Sequence, residues 1–197
     1  GTINNDTTIL VYGKDFSLEV PENDDPSVVF GGWFIGVSAN DIRYTDRYGD
    51  SVVKWNILTD KTLYAVWYDV LSYTLINNNR AYAVKKGVGI DYVDSVVIPA
   101  TYNGKPVTEI SEGSFADCRY LVSVIIPDSV TLIAEGVYDN KNDSIIGAAF
   151  SGCSKLREIT VVGSKGESSA YFSENGVLFR RNFQEGKVEL AIFPYAK

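Results

Sequence analysis

The chain has 197 residues, of which 45% are hydrophobic and 22% charged, and its 18 Lys and Arg against 25 Asp and Glu leave a formal charge of −7. That size supports one domain or two small ones with buried cores, and the composition excludes a solvated, disordered rod. An acidic chain with no basic run argues against nucleic acid as a partner, and the absence of His removes Ser-His-Asp triads, Cys-His nucleophile pairs and HExxH zinc sites. No apolar run approaches the length of a transmembrane segment, and the first residues show no charged-then-apolar leader. Gly1, in a chain without Met, points to a processed or cut segment of something longer, with any export signal already gone.

Taken in chain order, short β-branched and aromatic runs separated by Gly, Asn, Asp and Pro predict strands and turns rather than long helices. Residues 9–12, 62–67 and 95–98 read as strands. Trp33, Trp55 and Trp67 all precede residue 70, whereas Cys118 and Cys153 follow it, which predicts two domains, 1–70 and 71–197. Residues 68–72, between them, lack a Gly- or Pro-rich tract, so a short connection and nearly touching domains are expected.

The second domain repeats itself. Val93-x-x-Val96-x-Ile98, Leu121-x-x-Val124-x-Ile126 and Leu156-x-x-Ile159-x-Val161 share one spacing, and Ile110-Ser-Glu-Gly113 recurs 23 residues later as Ile133-Ala-Glu-Gly136. Phe115-x-x-Cys118-x-x-Leu121 recurs as Phe150-x-x-Cys153-x-x-Leu156 after 35 residues, which marks residues 137–147 as an insertion. A period near 23 predicts a short solenoid in which each repeat gives one strand and a helical or irregular return, with the strands stacked in parallel. Strand alternation then turns all nine patterned residues inward, each contributing about 1.5–3 kcal/mol when buried, most of it offset by chain ordering. Ser123 and Ile125 face the other way, onto the concave side. Hairpins are expected as end covers, one from residues 73–76 and 80–84 around three Asn, the other from 176–179 and 188–192 around Gly186.

These phrases resemble the BspA-type leucine-rich repeat of secreted and surface-attached proteins. Ile98-Pro99, Val107-Thr-Glu-Ile110, Phe115-Ala-Asp-Cys118, Ile126-Pro127, Asn103-Gly-Lys-Pro-Val107, Glu174-Asn-Gly-Val-Leu-Phe179 and Phe193-Pro194 carry the likeness over residues 73–197. The insertion and Ser114, where the family prefers Ala, depart from it, and the stop after one capping hairpin implies further repeats beyond. Val11-Tyr12-Gly13, Phe30-Gly-Gly-Trp33 and Thr62-Leu-Tyr-Ala-Val-Trp67 resemble a second module, the Listeria-Bacteroides (internalin B-type) repeat, which implies a β-grasp-like fold over residues 8–68. That module's opening strand is missing, which makes residues 1–8 a remnant. Together the likenesses imply a mainly β chain with short helical turns, a β-grasp-like module followed by a leucine-rich-repeat solenoid with hairpin caps, on a bacterial surface or outside the cell.

Several residues admit a bland and a functional reading. Trp33 and Trp67 fit a core better than a sugar platform, Trp55 reads as the more exposed ring, and Tyr44 and Tyr48 sit in a polar loop that is either a contact patch or simply solvated. Cys118 and Cys153 occupy equivalent repeat positions, within disulfide reach, but their parallel side chains suit a ladder of buried free thiols. The acidic pairs Asp24-Asp25 and Asp91 with Asp94 are expected by chance among so many carboxylates. Asp41, Asp46 and Asp50 lack EF-hand spacing, and Gly87-Val-Gly89 is too short for a phosphate loop. Asn5-Asp-Thr7 and Asn142-Asp-Ser144 match glycan acceptors. No catalytic, cofactor or metal set emerges. The expectation is a monomeric, non-enzymatic surface protein that contacts a protein or other extracellular macromolecule through the concave face, presenting Asp94, Ser95, Val97, Val122, Ser123, Ile125, Arg157, Glu158 and Thr160. The alternatives are a carbohydrate-binding accessory of a polysaccharide-degrading system, using Trp55 or Tyr44 and the acids, and a stalk with no ligand of its own.

Overall fold

A computed structural model describes residues 7–38, 40–139, 141, 144–163, 166–192 and 194. Residues 1–6 of the remnant expected at 1–8, Asn5 among them, lie outside the described residues, as do Asn142 and Phe193. The chain is mainly β and divides into two compact units, Gly1–Asp69 and Val70–Lys197. No helix among the described residues is long and apolar enough to cross a membrane.

In the first unit β1 (Val28–Phe34) pairs antiparallel with β2 (Tyr64–Asp69), and three isolated bridges, Ser17 to Asp50, Phe34 to Arg43 and Thr45 to Ser51, tie the loops together. The register slips between Phe30 and Gly32, and the two glycines there have separate reasons. A Cβ on Gly31 would strike the Tyr68 ring, and one on Gly32, whose φ is +135°, would strike the Thr45 carbonyl. Residues 9–12, expected as a strand, carry no ladder; Gly13 N–H instead donates to the Trp55 carbonyl at 2.7 Å.

The tryptophans reverse the expected order. Trp55 is 8% exposed, its ring edge-on to Phe16 at 5.8 Å and tilted against Tyr44 at 5.3 Å. Trp33 and Trp67 are half-buried on either side of Phe30, with centroids 5.8 and 5.5 Å away, and the Trp33 indole N–H donates to the Glu19 carbonyl. Tyr44 is buried too, its hydroxyl donating to Asn56 Oδ1 at 2.6 Å, while Tyr48 is exposed beneath the Arg47 guanidinium. The rings nearest the ends of polar loops are thus the ones drawn inside, because backbone bonds such as Trp55 N–H to the Lys14 carbonyl fold those loops back over them.

The second unit contains β3 (Leu71–Ile76), β4 (Ala81–Lys86), β5 (Ser95–Val97), β6 (Thr101–Tyr102), β7 (Lys105–Ile110), β8 (Ser123–Pro127), β9 (Leu132–Ile133), β10 (Val137–Asp139), β11 (Ser144–Ile146), β12 (Glu158–Val162), β13 (Tyr171–Glu174), β14 (Val177–Asn182) and β15 (Lys187–Ile192). Short 3-10 turns occupy Val88–Tyr92 and Gly166–Ser168. β5, β8 and β12 form one parallel sheet, in which Val96, Val124 and Ile159 are register partners. β4, β7 and β9 form a second parallel run, aligning Val84, Ile110 and Ile133. The returns between repeats therefore carry strands of their own, where a helical or irregular return was expected.

Seven of the nine patterned residues, Val96, Ile98, Leu121, Val124, Ile126, Leu156 and Ile159, are buried; Val93 and Val161 are only half-buried. Phe115 and Phe150 stack at 5.2 Å in the same core. Register partners lie 28 residues apart from β5 to β8 and 35 from β8 to β12, against 23 from Ile110 to Ile133. The first excess is the β6–β7 hairpin, turning at Asn103-Gly104 with φ of 45° and 73°, a pair suited to a type I′ turn. The second is the insertion, which folds as the β10–β11 hairpin.

Both expected end hairpins form, with changes. β3 and β4 turn through Asn77, Asn78 and Asn79, all at positive φ, but β4 joins the second parallel run at β7 and not the β5–β8–β12 sheet. β14 and β15 pair as expected, and β13 adds to them through a further Asn-Gly turn at Asn175-Gly176. Tyr171 of β13 fastens this last sheet to β9, its hydroxyl accepting the Ile133 N–H at 3.0 Å.

Candidate functional site

The β5–β8–β12 sheet alternates about its central row. With Val96, Val124 and Ile159 turned into the core, the residues on either side point outward. Register makes them rows: Ser95, Ser123 and Glu158 in one, Val97, Ile125 and Thr160 in the next. Where the chain enters each strand, a single carbonyl accepts two successive N–H groups. Asp94 takes those of Val122 and Ser123, and Val122 takes those of Arg157 and Glu158. This repeated bend places Asp94, Val122 and Arg157 at equivalent positions just before the three strands.

The face is polar at its frame and apolar along one line. Ser123 Oγ donates to Ser95 Oγ at 2.9 Å across the strands, and Thr160 Oγ1 donates to a Glu158 carboxylate oxygen at 3.2 Å along one strand. Val97 is 60% exposed, whereas Val122 and Ile125 are half-buried. Such a surface combines hydroxyls, a carboxylate and aliphatic side chains on one strand face. It can offer side-chain hydrogen bonds, ion pairs and a narrow apolar stripe to something laid across it.

Sequence reasoning passed over an exposed pair that precedes β8 and β12. Tyr120 and Lys155 each stand two residues after the cysteine in the repeated Phe-x-x-Cys-x-x-Leu phrase, and that shared offset was the available signal. Stacking brings them together, with Lys155 Nζ 5.3 Å from the Tyr120 ring centroid. Leu121 and Leu156 turn inward beside them, so Tyr120 and Val122 project on one coil and Lys155 and Arg157 on the next.

Cys118 and Cys153 are buried free thiols hydrogen-bonded to each other. Cys153 Sγ donates to the Phe115 carbonyl at 3.0 Å. The hydrogen bond to Cys153, reinforced by burial, pushes the Cys118 thiol up, while the same bond to Cys118 draws the Cys153 thiol down. Elsewhere the acids serve their own loops. Ser27 hydrogen bonds to the Asp25 carboxylate and holds it below the usual range, the Asp46 carboxylate accepts the N–H groups of Tyr48 and Asp50, and Asp50 accepts the Ser17 hydroxyl. Among the described residues no group of three His, Cys, Asp or Glu could hold a metal ion.

No family model matches the chain, and no curated protein does. Among solved structures, the leucine-rich repeat protein TpLRR of T. pallidum is similar at 30% identity over 46% of this chain and 36% of that one, with a TM-score of 0.36. The likeness thus spans little more than a third of that protein's length.

Proposed function

We propose that the chain is a non-catalytic, leucine-rich-repeat-like interaction module of an exported bacterial surface protein, and that it holds a macromolecular partner on the outward face of β5, β8 and β12. In this reading residues 71–197 are a BspA-type solenoid, and residues 1–70, similar to a Listeria-Bacteroides repeat, space or supplement it. The observation that supports the reading is the alignment of six side chains into two in-register rows, Ser95, Ser123 and Glu158 in one and Val97, Ile125 and Thr160 in the other, with Val97 left 60% exposed. An open, laddered sheet suits an extended macromolecular surface better than a small molecule, which needs an enclosed site. The sugar-binding alternative loses its named residues, since Trp55 and Tyr44 are packed inside the first unit.

The test is an array of extracellular proteins and glycans probed with the labelled chain and with a Ser123→Arg/Ile125→Arg variant. Both substituted positions face outward, so the variant should fold normally by circular dichroism. Binding to a protein that the variant loses supports the reading. Binding that the variant retains, or saturable binding to glycans alone, contradicts it.

A further inference from the structure

The chain has two cysteines, and the fold brings them from adjacent coils into contact. The turns that hold them lie side by side. Phe115 N–H donates to the Ala149 carbonyl at 2.8 Å, Asp117 N–H donates to the Ser151 carbonyl at 2.7 Å, and the Phe115 and Phe150 rings stack. Backbones bonded in this way run about 4.8 Å apart, inside the Cα span of roughly 4.4–6.8 Å that a disulfide accepts. Strictly parallel side chains at equivalent repeat positions would hold the two sulfurs apart, but here the thiols are hydrogen-bonded to each other, so the sulfurs lean together. Cys153 Sγ also donates to the Phe115 carbonyl. Lys86, whose ammonium donates to the Ala116 carbonyl, favours the thiolate of both cysteines, while Asp91 opposes it at Cys118 and Asp117 at Cys153. At 2% and 0% exposure the two thiols are shielded once the chain has folded, so the reduced pair persists there. The opportunity for oxidation is folding itself, when the two coils meet before the core closes over them.

We propose that Cys118 and Cys153 are a latent cross-link: a small-molecule disulfide present while the chain folds joins them into a disulfide that ties the Phe115 coil to the Phe150 coil. One protein thiolate attacks a sulfur of the oxidant, forming a mixed disulfide and expelling a thiolate. The second protein thiolate attacks the protein sulfur of that mixed disulfide and expels the other half of the oxidant. The two protons lost by the cysteines pass to the two expelled thiolates, so the chain gives up two electrons and the oxidant gains them. The bond joins residues 35 apart and closes a loop that contains β8, β9 and the inserted β10–β11 hairpin. Closing a loop of that length restricts the unfolded chain and makes the oxidised form the more stable one. The inference does not depend on the outward face.

The test is refolding of the intact chain from urea, fully reduced at the start, in a buffer of reduced and oxidised glutathione and, in parallel, with reductant alone. The expected product of the first is a monomer lighter by about 2 Da, with no thiol reactive to Ellman's reagent in denaturant and with the Cys118 and Cys153 peptides joined in a non-reducing digest. Its melting temperature should exceed that of the reduced chain by about 5–15 °C, and reducing it in denaturant before refolding should abolish the difference. Cys118→Ser and Cys153→Ser should each show no such rise in the same buffer. Free thiols after oxidative refolding, glutathione adducts or cross-linked dimers as the main product, or a bridged chain no more stable than the reduced one would overturn the proposal.

Discussion

Leu121 and Ile125 lie four residues apart on the same coil, and the architecture assigns them opposite fates. Leu121 is fully buried, in the core that contains the stacked Phe115 and Phe150, while Ile125 is half-buried on the outward face. Truncating Leu121 to Ala removes buried aliphatic groups at about 0.8 kcal/mol per methylene and leaves a cavity that the stacked strands cannot collapse, for a total of about 3–4 kcal/mol. Ile125→Ala opens no enclosed cavity and should cost about 1 kcal/mol. At about 2–4 °C per kcal/mol, the melting temperature should drop by about 6–16 °C for the first and about 2–4 °C for the second. Urea titration followed by far-UV circular dichroism, with m unchanged, is the assay. Equal losses, or a larger loss for Ile125→Ala, would refute the assignment of inward and outward positions.

Three further outcomes are expected. Gly32→Ala should destabilise the first unit by about 2 kcal/mol or more, because the new Cβ meets the Thr45 carbonyl and φ is positive; tryptophan-fluorescence unfolding checks it, and an unshifted midpoint contradicts it. Burial raises the pKa of Glu135, with Arg180 Nη1 3.3 Å away opposing the rise and Glu189 adding to it, so the folded chain binds that proton more tightly than the unfolded chain. Stability from this group is therefore complete below the ordinary Glu pKa and is lost as pH rises through the elevated one, so Glu135→Gln should gain on the parent above that range and match it below. Urea midpoints across pH test this, and a constant offset would contradict it. Finally, both thiols should react with Ellman's reagent only slowly in the native chain and completely in denaturant, since both are buried and unbridged; failure to react after denaturation would establish a disulfide.

What the sequence disclosed, and what it hid, follow from the range of the interactions involved. The Val124-x-Ile126 spacing is local, and alternation sends those two side chains inward, so the face opposite them could be assigned to Ser123 and Ile125 without a structure, whereas Leu121 reaches the core through the bend that precedes the strand. The hairpins around Asn77-Asn78-Asn79 and Gly186 were legible as well, whereas Asn103-Gly104 and Asn175-Gly176, although strong hairpin signals, were not read as turns and add β6 and β13. The second parallel run was hidden, because pairing Val84 with Ile110 and Ile133 depends on the return path of each coil. Trp55 was misjudged for a similar reason, since contacts with Phe16 and Tyr44 and bonds from Gly13 and to Lys14 decide its burial and none is visible in the phrase around it. Tyr120 and Lys155 went unnoticed because their pairing exists only once two coils are stacked.

Hydrogen–deuterium exchange of the chain with and without a bound partner tests most directly whether the laddered sheet is the working surface. Slowed exchange concentrated in residues 94–97, 120–125 and 155–160 is the predicted footprint. Slowing confined to the first unit, or to β13, β14 and β15, with those three segments unchanged, would contradict it.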